Sequence, residues 1–405
     1  MGRRNTARID HNVQACLKIL QIHSSPSPGG GTVHVTDLAN GLAQRGHRVH
    51  VACRANGHVP RLLGDADVRT HTLPLRGGLD LNSIARLAAL IRREQFDILH
   101  AHSGRDYALC RMAHNLAPGG NMIFSRHLLK VNKPRWLARQ YYRSAARTIT
   151  ISEAVRSVLI RELDLPSKMF ITIPNWLDLQ RFEELPSPEE ARRKFSIETR
   201  HAVGVVGSVI PIKGQEEFVR AAAQVLQQHS DTTFLVVGNN PHGDKAYFSK
   251  LQALRRDLGL GERLRFVDWV NDISTLLPAL TVSVVPSWCD AFSLVLIESM
   301  AAGVPVVAAA AGGPAEIVED EVNGLAVEPC EVEPLAEAMN RLLCDEALRV
   351  RLSAEARTTV KQRFERQSVI SRIEALYREI VGHVALSRSA SAEPGVVSDA
   401  PTIRR

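Results

Sequence analysis

Short apolar runs alternate along this chain with longer stretches whose apolar residues recur at helical spacing. Residues 17–22 form the first compact apolar run and predict a strand. A helical pattern follows over 32–45, closed by Gly46, and 49–53 reads as the next strand. Strand, glycine-rich loop, helix, strand is a parallel crossover, because parallel neighbours need a long return connection. Further strands are predicted near 68–73, 96–100, 122–125 and 148–151, with helices over 82–93, 106–115, 134–147 and 153–162. This is a doubly wound α/β pattern. After a strand and turn at 171–178 and a Pro-, Glu- and Arg-rich segment at 183–194, the theme repeats. Its strands fall at 202–209, 233–237, 264–267, 281–285 and 305–308, and its helices at 215–228, 245–258, 273–280 and 293–302. Helical spacing then continues over 331–343, 348–364 and 367–384. The expected organisation is two α/β domains, 16–185 and 186–365, and a C-terminal helix at 366–386. Segments 1–15 and 387–405 have the composition of a flexible extension and tail.

Open parallel sheets collect their ligands outside the carboxyl ends of the strands, so the residues at those junctions are the candidates. The stretch 282–329, VSVVPSWCDAFSLVLIESMAAGVPVVAAAAGGPAEIVEDEVNGLAVEP, is the richest. Asp290 precedes a helix and Glu298 lies about a turn and a half inside it, with seven residues between the two acids. The amides of Ser293, Leu294 and Val295, just after Phe292, are helix-start donors suited to a diphosphate. Acids beside an anion site make sense as acceptors from hydroxyls, those of a sugar and a ribose. A second corner at 311–314, Ala-Gly-Gly-Pro, is expected to bring its backbone to the same crevice.

Other junctions carry single candidates. Lys213, in the run 207–214, lies between a strand and a helix, where a fixed positive charge can stabilise a departing diphosphate. The plainer reading is a surface lysine at a helix start. Gly30 and Gly31 open a loop through which a ligand could approach the backbone, or form a simple tight turn. Their spacing is not the dinucleotide fingerprint and no acid ends the second strand, which argues against NAD. His127 follows directly on a strand end, as a ligand contact or as a capping or surface histidine.

Composition narrows the picture little. The chain has 405 residues, a hydrophobic content of 45% and a net charge of +7, compatible with an anionic nucleotide or phospholipid. No nucleic-acid motif accompanies that charge, so no nucleic-acid partner is expected. No apolar run reaches transmembrane length and 1–15 lacks a signal-peptide pattern, so the expected location is the cytoplasm. Six scattered cysteines without a Cys-x-x-Cys read as free thiols. His100-Ala-His102 is a weak metal candidate, without neighbouring thiolates or a third ligand. Charge is distributed unevenly. No Asp or Glu occurs over 107–152, whereas Arg126, Lys130, Lys133, Arg135, Arg139, Arg143 and Arg147 accumulate there. The last four share one face of the predicted helix, beside Trp136, Tyr141 and Tyr142, and suggest peripheral contact with an anionic membrane through 126–147.

The acid pair of 282–329, with Ser-Met-Ala-Ala-Gly-Val-Pro-Val-Val, Gly-Gly-Pro-x-Glu and Asn323-Gly324-Leu325, resembles the signature of the retaining, nucleotide-sugar-dependent glycosyltransferases of family 4. The resemblance covers about 17–384 and departs from the family in two places. Asp290 stands where Glu is usual, and Ser208 where an arginine commonly follows the first glycine of the phosphate loop. It implies the GT-B architecture, two facing Rossmann-like domains with the last helix crossing back to the first. It implies a nucleoside-diphosphate sugar as donor and a carbohydrate or glycolipid acceptor in envelope polysaccharide or lipopolysaccharide synthesis. No cofactor or metal is expected. Glu298 would then hold the ribose, Asp290 the transferred sugar, Lys213 and the helix amides the diphosphate, and His127 the donor sugar and phosphate. Gly30 and Gly31 would face the donor. A nucleotide-sugar epimerase of the same architecture and a non-catalytic binding protein are the alternatives.

Overall fold

A computed structural model describes residues 16–390 except 27–28, 65–66, 132–133 and 240–242, with side chains described as far as 383. The expected extension at 1–15, the tail from 391 onward and Lys133 lie outside the described residues. The strands are β1 (Lys18–His23), β2 (Arg48–Cys53), β3 (Val68–Thr72), β4 (Ile98–Ala101), β5 (Asn121–Arg126), β6 (Arg147–Thr150), β7 (Phe170–Thr172), β8 (His201–Val206), β9 (Thr232–Asn239), β10 (Leu264–Asp268), β11 (Val282–Val285), β12 (Val306–Ala309) and β13 (Leu325–Val327). Between them lie α1 (Gly30–Gln44), α2 (Val59–Leu63), α3 (Leu81–Glu94), α4 (Gly104–Leu116), α5 (Arg135–Ser144), α6 (Glu153–Leu163), α7 (Pro188–Lys194), α8 (Gln215–Gln228), α9 (Lys245–Asp257), α10 (Leu294–Ala302) and α11 (Pro314–Ile317). Helices α12 (Val332–Cys344), α13 (Glu346–Arg363) and α14 (Arg366–Ala390) close the chain.

The strands form two sheets, ordered β3-β2-β1-β4-β5-β6-β7 and β10-β9-β8-β11-β12-β13. In both, the order reverses beside the first strand of the sheet, as in doubly wound folds. The central strands are buried on both faces: Ile19, Leu20 and Ile22 of β1 are 0% exposed, as are Val282 and Val284 of β11. This explains why they read as apolar runs rather than as alternations. Helix starts follow local capping chemistry, with Asp80, Ser103, Ser152, Asp244 and Ser293 each accepting from a backbone amide in the first turn. The chain forms two compact units, Met1–Ile123 with Tyr377–Arg405, and Phe124–Leu376.

Some elements differ from expectation. The predicted helix at 273–280 is two short 3-10 turns, Ile273–Thr275 and Leu277–Ala279. Pro278 lacks an amide hydrogen and disfavours α geometry at the residue before it, so a continuous helix cannot form there. The predicted helix at 134–147 stops at Ser144, because Ala145 is extended and Thr148 to Thr150 are buried in β6. Arg147 opens that strand, so only Arg135, Arg139 and Arg143 recur along α5. Helix α14 runs on to Ala390, past the predicted end, and β13 had no counterpart in the hydrophobic pattern.

Within the first unit the Tyr377 hydroxyl, fully buried, lies 2.6 Å from His100 Nδ1 and 3.4 Å from Gln21 Nε2, tying the end of the chain to β1 and β4. Tyr377→Phe removes the hydroxyl and leaves buried polar atoms short of a partner, at a cost of about 1–3 kcal/mol. Thermal denaturation should therefore show a lower midpoint for Tyr377→Phe; an unchanged midpoint would mean that this network does not stabilise the unit.

Candidate functional site

Strands β8, β11 and β12 are neighbours in the second sheet, so the three corners beyond their carboxyl ends meet. The corner after β8 is docked on that after β11 by the bond from the Trp288 amide to the Ile212 carbonyl, 3.0 Å long. Gly214, at φ +71°, lies so close to Pro286 that a Cβ would strike its carbonyl oxygen. The corner after β12 approaches from the other side. Its Gly313 amide donates to the Asp290 carbonyl at 2.8 Å, and at Gly312, φ +59°, a Cβ would strike that same oxygen. Packed backbone thus holds Lys213 and Asp290 together, and Lys213 Nζ lies 2.5 Å from Asp290 Oδ2. Sequence reasoning assigned these side chains to separate parts of a ligand and did not anticipate their pairing.

Beyond Asp290, Phe292 and Ser293 are buried and Leu294 begins α10. The Ser293 hydroxyl accepts from the Leu296 amide at 3.3 Å, which leaves the amides of Leu294 and Val295 as the outward-facing donors. Helix α10 is fixed to β11 by a buried contact of 2.8 Å between the hydroxyls of Ser283 and Ser299. Between them in sequence stands Glu298, half-buried. Burial pushes its carboxyl up to about 7, the Arg181 charge pulls it back, and Asp272 raises it further. Arg181 and Asp272 are themselves paired at 3.0 Å. Sequence reading missed this pair beside Glu298. Arg181 is 117 residues away in the chain (298 − 181), and no local pattern marks it.

The remaining candidates have local contacts of their own. His127 follows β5 and is half-buried; its loop is shaped by Arg126, whose guanidinium donates to the carbonyls of Leu128, at 2.8 Å, and Lys130. Glu316 of the Gly-Gly-Pro-x-Glu run accepts from the amides of Glu153 at 2.8 Å and Ala154 at 2.6 Å, capping α6. Ser208 carries no charge, and its carbonyl accepts from Gln215 at 2.9 Å.

Gly30 and Gly31 belong to the other compact unit, where they are the first two residues of α1 rather than a preceding loop. Gly29 caps the helix without a side chain, so the amides of Gly30 and Gly31 are open helix-start donors. His23 at the end of β1 sits 3.0 Å from the Thr32 hydroxyl, and burial lowers its pKa to about 4, leaving it neutral. The rings of His100 and His102 are tilted at 38° with centroids 4.1 Å apart and are engaged by Tyr377 and Gln21 respectively. All six cysteines are free.

Known proteins resemble this chain in sequence and in fold. Residues 187–359 match the family described as Glycosyl transferases group 1, and residues 28–181 match Glycosyltransferase Family 4. The UDP-Gal:alpha-D-GlcNAc-diphosphoundecaprenol alpha-1,3-galactosyltransferase of Escherichia coli is 24% identical, over 82% of this chain and 89% of its own. The lipopolysaccharide core biosynthesis mannosyltransferase LpcC of Rhizobium leguminosarum bv. viciae is 32% identical, over 55% of this chain and 67% of its own. Among solved structures, Anabaena Alr3699/HepE in complex with UDP and glucose superposes with a TM-score of 0.79 at 25% identity, covering 90% of this chain and 100% of that one. Matched in both halves and in the arrangement of both sheets, this chain belongs to the family 4 glycosyltransferases and has the GT-B fold, built from two Rossmann-like domains.

Proposed function

We propose that this glycosyltransferase moves a sugar from a nucleoside-diphosphate sugar to a hydroxyl acceptor, with retention, through the corners after β8 and β11. The observation that carries the reading is the Lys213–Asp290 pair held beside the open amides of α10. The diphosphate takes Lys213 and the amides of Leu294 and Val295, and Asp290, released from the lysine, accepts from hydroxyls of the transferred sugar. Glu298 accepts from the ribose hydroxyls, and His127 contacts the donor sugar and phosphate. The bond from the anomeric carbon to the phosphate oxygen breaks as that to the acceptor oxygen forms, and the acceptor proton passes to the leaving phosphate on the same face. Fixed donors aimed at the growing charge then supply most of the stabilisation. Lys213 and the α10 amides provide the positive charge, so the reaction proceeds without a divalent metal.

The names of the relatives point the acceptor toward envelope glycolipids, since one of them acts on a diphosphoundecaprenol-linked sugar and another in lipopolysaccharide core synthesis. Such an acceptor would be met at a membrane surface; no helix among the described residues is long and apolar enough to cross a membrane. Helix α5 supports that reading. Trp136 is 64% exposed and Arg135 and Arg143 face solvent, whereas Tyr141 and Tyr142, expected beside them, are buried in the core. Arg139 is partly engaged by Asp164 at 3.4 Å.

Lys213→Ala should lower turnover about 100-fold, roughly 3 kcal/mol, while leaving thermal stability nearly unchanged. Near-normal turnover would remove Lys213 from the reaction.

Glu298 gives a pH signature. Its carboxyl is raised to about 7 in the free protein, and ribose hydroxyls favour the ionised form. Nucleoside diphosphate binding should therefore release a proton near pH 7 and weaken as the pH falls below it. Because the folded pKa lies above the unfolded value of 4.5, the linked stability is complete below that value and is lost as pH rises through 7. Calorimetry with UDP in buffers of different ionisation heat measures the proton release, which Glu298→Gln should abolish and Asp290→Asn should leave in place. Equal release by all three proteins would reject the ribose assignment.

For the membrane contact, Arg135→Gln/Arg139→Gln/Arg143→Gln should lose co-sedimentation with anionic vesicles, at about 1 kcal/mol per basic residue. Equal binding of wild type to anionic and neutral vesicles would discard this contact and leave the transfer reading intact.

A further inference from the structure

The compact unit that holds β1 to β4 has a cavity of about 590 Å³ at the amino ends of β1, β2 and β3. It lies at the opposite end of β1 from the open amides of α1, a strand length of about 17 Å at roughly 3.3 Å per residue. The sheet register explains its chemistry. Lys18 of β1 pairs with Arg48 of β2, and His50 of β2 with Arg69 of β3, so the four side chains project from one face of the sheet. All four line the cavity, joined by His47 and Asp67.

Their charges are not equally available. Lys18 is held by Glu94 at 2.6 Å. His50 is hydrogen-bonded to His71 at 2.9 Å, and burial lowers its pKa to about 4, so it is neutral at physiological pH. The guanidiniums of Arg48 and Arg69, both exposed, have no hydrogen bond or salt bridge among the described residues, and neither does the exposed carboxylate of Asp67. Two unpaired guanidinium forks on adjacent strands suit a phosphate, which accepts bidentate pairs. A lone carboxylate at the same cavity accepts from hydroxyls, and the volume leaves room for a ring beyond the phosphate.

We infer that this cavity binds a phosphorylated sugar or polyol, with its phosphate on Arg48 and Arg69 and its hydroxyls on Asp67, at a site separate from the donor corner and independent of the transfer reading. The ligand is either a free sugar phosphate or the phosphorylated polyol head of a lipid.

Calorimetric titration of the full chain, with UDP present to occupy the donor corner, tests it using glucose 6-phosphate and inorganic phosphate as probes. Glucose 6-phosphate should bind, and Arg48→Gln/Arg69→Gln should weaken it by about tenfold or more, the loss expected for charge-assisted bonds. Asp67→Asn should weaken glucose 6-phosphate but not inorganic phosphate, and Lys213→Ala should leave both unchanged. Vesicles containing phosphatidylinositol or phosphatidylcholine form the second arm. Binding to the former alone, lost in the double arginine variant, assigns the phosphate to a lipid. Glucose 6-phosphate binding that survives the double variant, or that disappears with Lys213→Ala, overturns the inference, as does failure of both arms to show arginine-dependent binding. Arg48, Asp67 and Arg69 are exposed and Lys213 is half-buried, and unchanged melting temperatures confirm that each variant is folded.

Discussion

Backbone has to touch backbone where β8, β11 and β12 end side by side, and the functional corner depends on that constraint. A Cβ at Gly214 would enter the Pro286 carbonyl, and one at Gly312 would enter that of Asp290. At Gly313 it would come within 2.6 Å of the Ala291 carbonyl oxygen. Gly214 and Gly312 also have positive φ, which side chains of L-residues rarely adopt. Because the chain approaches this closely, amide-to-carbonyl bonds cross between the corners, and the side chains they carry have little freedom left. Lys213 and Asp290 meet through this geometry rather than through any proximity in sequence.

That meeting sets the electrostatics. In the free protein the two charges neutralise each other at a site only partly screened by solvent, where an isolated pair contributes little to stability. Its consequence is positional: the lysine is already aimed at the corner where a diphosphate adds its charge to the open amides of α10. Without an arginine at Ser208, Lys213 is the only cationic side chain of the 207–214 run. Arg181 and Asp272 act instead on Glu298. Two carboxylates with seven residues between them thus occupy different environments. Asp290 is ion-paired, whereas Glu298 has no ion-pair partner among the described residues and is shifted toward neutrality by burial.

Basic side chains outside this corner are divided by the fold in a way their spacing does not predict. The periodic arginines of 135–147 suggest one uninterrupted helical face, but the β-branched run after Ala146 belongs to the sheet core and takes Arg147 with it. Strand register does the reverse for Arg48 and Arg69, which look unrelated in sequence and share a cavity in the structure.

The hydrophobic pattern alone was enough for the order of elements, the two α/β halves and most strand positions, because buried parallel strands and amphipathic helices leave local signatures. Local chemistry also marked the acid pair, the glycine corners and the helix start after Phe292, since capping and tight turns depend on the residues immediately involved. Missed were features whose cause is distant in the chain: the Lys213–Asp290 pair, the Arg181–Asp272 pair beside Glu298, Glu316 capping α6, and Tyr377 reaching His100. The same holds for 273–280, where helical spacing was present but Pro278 permitted only 3-10 turns. Sequence determined which groups stand at each strand end. Only tertiary structure decided which of them meet, because sheet order and backbone approach bring together residues that no local periodicity relates.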